Sequence, residues 1–332
     1  MRAVVFHKYG PPEVLAVEEV AKPTPKADEI LIRVHASTVS AEDPKMRSFN
    51  HPPMLWIPIA VLFGYPRPRT QVLGMELSGT VEAVGRAVTR FQVGDAVFGY
   101  TGVGLRAHAE YRCLPENSVL TRKPDSVSFT DAAAVPNSAL TALVYLRNMG
   151  KLVRGERVLI YGASGAVGSA AVQIAKSLGA DVTGVCSTRN VQLVRSLGAD
   201  HVVDYTCERF TDGGRVYDVV FDTIGKTSFG DVRSVLDDEG RYLVTVFGVL
   251  DLLRMLWTRL RGGPRVLGGA SNLYWKRDDL ELLVDLMAEG SFRAVVDRCY
   301  PMTAAIEAHR YVETGRKRGN VVLQIRPEDA GG

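Results

Sequence analysis

Six consecutive residues, Ala163-Ser164-Gly165-Ala166-Val167-Gly168, have the spacing of a turn that hands phosphate groups to a helix. They follow an apolar run, Arg157-Val158-Leu159-Ile160, and lead into a stretch that reads as helix over 169–178. The pattern is glycine-x-glycine-x-x-glycine with alanine in the first place. Gly165 would let the backbone approach a pyrophosphate, and Gly168 would let the helix pack close to the strand. The helix start adds free N–H groups and the positive end of the helix dipole. A strand–helix turn without a ligand has similar glycine requirements. The assignment of Ser164, Gly165, Ala166, Val167 and Gly168 to a dinucleotide site therefore rests on the strand before them and the helix after them.

The end of the next strand selects between nicotinamide cofactors. An NAD-preferring site carries an acid there for the ribose hydroxyls. Here the chain reads Val185-Cys186-Ser187-Thr188-Arg189-Asn190, with no acid. Hydroxyls and a guanidinium can hold a 2′-phosphate that a carboxylate would repel. Ser187, Thr188 and Arg189 thus point to NADPH. The competing reading of Arg189 is a solvated residue at a helix start.

These residues need a parallel sheet behind them, and the order of elements supplies one. Strands at 158–161, 182–186, 201–203, 218–222 and 241–246 alternate with helices at 169–178, 191–197 and near 229–236. Val266-Leu267-Gly268-Gly269 is a candidate last strand. Such alternation implies βαβ units and a Rossmann-type, doubly wound parallel sheet. The earlier part of the chain differs. Short strand-like runs such as 30–36, 79–85 and 95–99 are separated by Pro23, Pro25, Gly85 and Gly94, which suggests a mainly β unit on a barrel-like sheet. Residues 132–149 read as helix, 278–288 as helix, and 319–325 as a strand that could return to the first domain.

A chain of 332 residues accommodates two domains. A net charge of +3, with scattered basic residues, provides no nucleic-acid stripe. The four cysteines (Cys113, Cys186, Cys207 and Cys299) are far apart, which argues against a disulfide framework and a structural zinc. The N-terminus reads straight into a strand, so no signal peptide is expected and the cytosol is the expected compartment. Two apolar segments, 54–63 and 246–260, are not expected to span a membrane. The first is short of the ~20 residues needed, and the second carries Asp251, Arg254 and Arg259. The first could line an apolar pocket or fold onto the surface as a loop, and Pro52, Pro53 and Pro58 argue against one long helix. In the second, Leu252, Leu253, Leu256 and Leu260 share a helical face. It could be a dimer contact, a cover or a membrane-surface helix, with core or dimer packing the default and a homodimer expected.

Taken together, the residues resemble the medium-chain dehydrogenases/reductases, and more closely their zinc-independent, quinone oxidoreductase-like branch. The resemblance is carried by Leu73-Gly74-Met75-Glu76-Leu77-Ser78-Gly79-Thr80-Val81, by Ala107-His108-Ala109-Glu110-Tyr111, and by Ala133-Ala134-Val135-Pro136 with Leu140-Thr141-Ala142. It continues in Leu197-Gly198-Ala199-Asp200 with Asp204-Tyr205, and in Gly319-Asn320-Val321-Val322-Leu323. It implies a GroES-like barrel domain split between residues 1–125 and 273–332, a Rossmann NADP-binding domain over 126–272, and a nicotinamide in the cleft between them. It also implies Thr141 near the nicotinamide, Tyr205 near the adenosine end, and a cofactor contact at Asn320, where many members have lysine. The zinc-containing branch has a cysteine in the segment that here reads Ser37-Thr38-Val39-Ser40-Ala41-Glu42-Asp43, and a histidine where Met75 stands. Neither ligand is present, so no metal is expected.

Without a Lewis acid, hydride addition to a simple ketone leaves an alkoxide that needs a strong stabiliser. Addition to a quinone or enone spreads the charge over an enolate or hydroquinone anion. NADPH-dependent reduction of such a small molecule is the leading expectation. The alternatives are a zinc-free alcohol or carbonyl dehydrogenase and a non-catalytic NADPH sensor. Lys45, Ser40 and Tyr65 are the candidate catalytic residues, as proton donor or substrate-orienting groups. Their plainer readings are a solvated lysine, a serine bonded to backbone and a packed tyrosine. Tyr100 is a further proton-donor candidate. His108, Glu76 and Asp43 are expected to hold structure.

Overall fold

The structure is a computed structural model describing residues 1–326; the side chains of Met54 and Val103 and the whole of 327–332, the last six positions of the expected 273–332 domain segment, lie outside the described residues. The chain divides into two compact units. One is Met1–Asn137 with Lys276–Ala288 and Ala294–Gly332, and the other is Ser138–Trp275 with Glu289–Arg293.

The first stretch forms β1 (Arg2–Phe6), β2 (Leu15–Glu19), β3 (Glu29–Thr38), α1 (Glu42–Ser48), α2 (Pro53–Phe63), β4 (Glu76–Val84), β5 (Ala96–Tyr100), β6 (Tyr111–Pro115), β7 (Leu120–Arg122) and α3 (Phe129–Ala133). The middle forms α4 (Pro136–Leu143), β8 (Arg157–Tyr161), α5 (Ala166–Ser177), β9 (Asp181–Cys186), α6 (Val191–Ser196), β10 (His201–Asp204), β11 (Tyr217–Asp222), α7 (Phe229–Arg233), β12 (Leu236–Val244), α8 (Val249–Arg261) and β13 (Arg265–Gly268). The last stretch forms α9 (Arg277–Ala288), β14 (Val296–Pro301), α10 (Ala305–Glu313) and β15 (Asn320–Gln324).

In the first unit, β3 is the central strand. Its run Ile30-Leu31-Ile32 is buried, and it pairs antiparallel with β4, β6 and β15. The strand order β14-β15-β3-β4-β5-β7 brings the late strands β14 and β15 into the same sheet as β3, β4, β5 and β7, while β1 and β2 pair apart from it. Ile30, Ile32, Leu73, Leu77, Val321 and Leu323 belong to one core cluster. In the second unit every strand pairing is parallel, in the order β10-β9-β8-β11-β12-β13. Numbered within this unit, that order is 3-2-1-4-5-6. The direction of winding reverses between β8 and β11, where ligands bind outside the carboxyl ends of the strands in such sheets.

Several expectations are corrected. The helix expected over 132–149 is broken, because Pro136 lacks an N–H and disfavours helical backbone at Val135. α3 stops before it, α4 begins on it, and Val144–Met149 widens into a π-helix. α7 ends at Arg233, and Leu236 already belongs to β12. Segment 53–63 is a single helix despite its prolines. Pro53 occupies the first helical position, where the missing N–H costs nothing, and Gly64 closes the end through its N–H to Ala60 O (2.9 Å). Segment 249–261 is helical, but Leu253, Leu256 and Leu260 are exposed, so its apolar face is not core. Among the described residues, no helix is long and apolar enough to cross a membrane.

Candidate functional site

The buried core of β8, Val158-Leu159-Ile160, delivers the chain to Gly162, whose φ of 80° suits glycine. A Cβ here would come 2.8 Å from Thr223 Oγ1. The tight-turn task that the spacing assigned to the position of Ala163 is thus done one residue earlier. The N–H groups of Gly162 and Ala163 both donate to Val185 O (3.2 and 3.0 Å), tying the turn to β9. Gly165 caps α5, and the bond from Ser169 N to Gly165 O (2.8 Å) leaves the N–H groups of Ala166, Val167 and Gly168 outside the helical ladder. A Cβ on Gly168 would lie 2.1 Å from Gly162 O. This glycine lets the helix pack against the turn. A Cβ on Gly165 would meet only Gly162 O, at 3.3 Å, so packing does not demand glycine there.

Ser187 follows β9, and Thr188–Asn190 forms one 3-10 turn with Thr188 and Arg189 exposed. Asn190, absent from the sequence-based set, is buried. Its Nδ2 donates to Ser164 Oγ (2.9 Å) and Ser187 Oγ (3.2 Å), joining the phosphate turn to the end of β9. Its Oδ1 is buried without a hydrogen-bond partner among the described residues. Tyr205 is exposed, and its N–H donates to Cys186 O (3.0 Å), so it shares this edge. One carboxylate stands nearby. Asp204 faces Cys186 across the ladder and accepts from Thr206 N (3.0 Å) and Thr206 Oγ1 (2.7 Å). The hydroxyl of Thr188, then that of Thr206, hold it below the usual carboxylate range.

On the other side of β8, the end of β11 adds a loop that the sequence reading did not single out. Asp222 is fully buried. It accepts from the N–H groups of Ile224 (3.0 Å), Gly225 (2.8 Å) and Thr227 (2.8 Å) and from Thr227 Oγ1 (2.7 Å). The neighbouring Thr223 donates through Oγ1 to Tyr161 O (2.8 Å). This loop therefore rests against the phosphate turn. Thr141 is half-buried on α4, between the buried Leu140 and Ala142.

In the first unit the expected catalytic residues have other partners. Ser40 donates through N (2.8 Å) and Oγ (2.6 Å) to Asp43 Oδ2, while Asp43 Oδ1 accepts from Gly74 N (3.0 Å). Asp43 thus organises the loop, as expected. Ser40 Oγ also lies 3.9 Å from Met75 Sδ, so the two segments where the zinc branch carries cysteine and histidine meet here. Lys45 pairs with Glu42 on the surface (2.7 Å). Tyr65 is exposed and packs beside Phe49, with ring centroids 5.1 Å apart. Neither Lys45 nor Tyr65 shares a hydrogen bond with Ser40. Tyr100 is buried in β5. Asn320 Nδ2 donates to Ala134 O (3.0 Å) and Val295 O (3.3 Å), a bond pattern that holds backbone. His108 is fully buried with Nε2 2.9 Å from Thr38 O.

Glu76 is buried beside this loop. One carboxylate oxygen accepts the hydroxyl of Thr38, and the other accepts Asn137 N (2.7 Å). Burial pushes its pKa up to about 7, against the pull of those two hydrogen bonds. The folded state therefore holds this proton more tightly than the unfolded chain does. The contribution of Glu76 to stability falls as pH rises from the unfolded value of 4.5 to about 7. The expected loss between pH 5 and 7 is about 2 kcal/mol. Glutamine can mimic the protonated acid, accepting from Asn137 and donating to Thr38. The melting temperature of Glu76→Gln relative to the parent should rise steadily across that range, and a difference flat with pH would refute the buried titration. Lys317 stands in the same environment. Its Nζ donates to Gly319 O (2.7 Å), and burial lowers its pKa to about 8, opposed by Glu76 and Asp297.

Comparison with known proteins agrees with this architecture. Residues 26–125 match the alcohol dehydrogenase GroES-like domain, and residues 197–323 match the family described as zinc-binding dehydrogenase. The chain is 31% identical to a chloroplastic quinone-oxidoreductase homolog of Spinacia oleracea, with 98% of both chains covered. It is 30% identical to the 2-methylene-furan-3-one reductase of Solanum lycopersicum, over 98% of this chain and 80% of that one. Among solved structures, the quinone oxidoreductase of Escherichia coli complexed with NADPH superimposes with a TM-score of 0.81 at 26% identity, covering 98% of this chain and 100% of that one. A parallel 3-2-1-4-5-6 sheet and a GroES-like unit, matched over nearly the whole length, identify the chain as an oxidoreductase of the medium-chain dehydrogenase/reductase superfamily, in its quinone oxidoreductase-like branch.

Proposed function

We propose that this oxidoreductase reduces a quinone or an α,β-unsaturated carbonyl with hydride from NADPH, without a metal ion. The observation that carries the cofactor choice is the acid-free end of β9, where Ser187, Thr188 and Arg189 stand within one turn of the Asn190 bridge to Ser164. The residues fit the group. The N–H groups of Ala166, Val167 and Gly168 suit a pyrophosphate, and the unpartnered Asn190 Oδ1 is an acceptor that a hydroxyl of the cofactor would satisfy. Bound there, NADPH would supply the hydride; the chain's own task is to orient it and keep water out. The relative solved with NADPH supports the same cofactor.

The metal-free part rests on donor chemistry. Where the two zinc-ligand segments meet, this chain places a hydroxyl and a thioether, Ser40 and Met75, at the two ligand positions, and both oxygens of the neighbouring Asp43 carboxylate are engaged by Ser40 and by Gly74 N. Zinc favours Cys, His and carboxylate ligands. Among the described residues no three His, Cys, Asp or Glu side chains are grouped to hold a metal. Acceptors that delocalise the incoming charge need the least help from such a site. The tomato relative, named for the reduction of an unsaturated ketone, and the spinach quinone-oxidoreductase homolog support that class. A cytosolic homodimer completes the reading.

The test is NADPH oxidation in the presence of a chelator against a panel of quinones, enones, aldehydes and alcohols. Turnover confined to alcohols would favour the dehydrogenase alternative, and tight NADPH binding with no turnover would favour a sensor. Asp204 supports a second cofactor reading, with NADH and a carboxylate for its ribose. Its acceptor positions are already engaged by Thr206 and Thr188, which favours a structural role. Arg189→Ala separates the two. It should weaken NADPH on the order of 10–100-fold, the worth of a charge-assisted bond, while sparing NADH. Equal loss for both cofactors would remove the 2′-phosphate role.

A further inference from the structure

Helix α8 is built inside out for a soluble protein. At about 3.6 residues per turn, Asp251, Arg254, Met255 and Thr258 fall on one side, and that side faces the domain. Asp251 accepts Gly248 N (3.0 Å) and pairs with Arg254 (3.1 Å), while Thr258 is buried and accepts Val266 N (3.2 Å) from β13. Met255 packs on the core beneath. The opposite side carries Val249, Leu250, Leu253, Leu256 and Leu260, each 56–78% exposed, together with Trp257. Arg259 borders this apolar arc on one flank and Arg261 on the other, the latter with its guanidinium 5.2 Å from the Trp257 ring centroid. Arg265 follows within a few residues. These three arginines are exposed and form no ion pair among the described residues. The one acid of the helix, Asp251, is turned inward.

From this arrangement we infer that α8 docks the enzyme on an anionic bilayer surface, lying in the interface with its leucines and Trp257 among the acyl-chain ends and its arginines at the lipid phosphates. An apolar arc rimmed on both sides by long cationic side chains suits that boundary, because arginine stems can cover apolar surface while their heads reach phosphate. Thirteen residues make a helix about 20 Å long, enough to lie along the surface. A second copy of the chain meeting α8 face to face would set Arg259 and Arg261 against like charge, with no carboxylate on the arc to answer them. Charge complementarity therefore selects anionic lipid. The inference is independent of the substrate and cofactor.

The full chain should co-sediment with phosphatidylcholine vesicles containing about 30% phosphatidylglycerol and not with phosphatidylcholine alone; salt at ~0.5 M should release much of it. Arg259→Glu/Arg261→Glu should lower the partition at least ~10-fold, and Leu253→Ser/Leu256→Ser should lower it comparably, with unchanged thermal melts because these side chains are exposed. Equal partition to neutral vesicles, no partition, or variants that bind like the parent would overturn the inference. So would conversion of an oligomer to monomer by the same substitutions in lipid-free buffer, which would mean that a second copy covers the face.

Discussion

Alanine at Gly168 and alanine at Gly165 should do opposite things. Gly168→Ala puts a Cβ 2.1 Å from Gly162 O, 2.8 Å from Gly162 C and 2.9 Å from Ala163 Cα. All three are backbone atoms of the turn, held by the bonds of Gly162 and Ala163 to Val185 O, so no side chain can swing aside. α5 must lift from the turn. Ordinary overpacking costs 1–3 kcal/mol, and backbone against backbone belongs at or above the top of that range, so roughly 3–4 kcal/mol is expected. Melting should fall by roughly 6–15 °C. At Gly165 the same Cβ meets one atom at 3.3 Å, and the residue's φ of −78° suits alanine. Gly165→Ala should cost stability only at the level of a helix cap, about 1 kcal/mol or less. Its effect should appear in cofactor affinity, because the methyl occupies the path by which the backbone would approach a pyrophosphate. Calorimetric titration with NADPH beside thermal melts separates the two effects. A Gly165→Ala protein that binds NADPH as tightly as the parent would mean that no phosphate comes near Gly165.

That contrast also marks how far the sequence could be read. Gly168 was legible because a helix packing on its own entry turn leaves no room for a side chain, a requirement of spacing alone. Gly162 was not, because the positive φ depends on where Thr223 and Ile224 arrive, sixty residues on. Asn190 carried no signal of its own in the sequence, and nothing local reveals that its amide reaches Ser164. Asp222 is similar. Its partners are backbone N–H groups of the loop that follows, and a strand ending in Asp carries no mark of that. In α8 the periodicity correctly grouped Leu253, Leu256 and Leu260 on one face. Periodicity cannot say which way such a face turns, and the inward pull of Thr258, Asp251 and Met255 decided it. Lys45 has a partner three residues away on the same helical turn, Glu42, and the sequence reading did not weigh that pair.

Replacing Arg47 with methionine should strongly destabilise the first unit. Arg47 of α1 is fully buried. Its Nε donates to Gly10 O (3.2 Å), and its other nitrogens reach His309 Nδ1 (3.2 Å) and the Glu313 carboxylate, both on α10. It therefore ties the returning end of the chain to the beginning. Arginine only donates, so Nδ1 of His309 must accept, and the ring's proton sits on Nε2. Burial, with His108 and Arg47 adding to it, holds the pKa of His309 well below its usual value. The neutral ring is thus favoured in the fold, and the contribution of His309 to stability is lost as pH falls below about 6.5, where the unfolded chain takes up the proton. Methionine fills much of the volume but leaves Gly10 O and His309 Nδ1 buried without a donor, and frees Glu313 to water. Breaking one partner out of a buried charged network costs about 3–5 kcal/mol. Arg47→Met should therefore lower melting by on the order of 10 °C. With the guanidinium gone, protonation of His309 becomes easier, so the acid-side decline in stability should also become shallower than in the parent. Urea unfolding between pH 5 and 8 measures both effects. A loss under 1 kcal/mol, or an unchanged acid limb, would show that α10 is held by its apolar contacts alone.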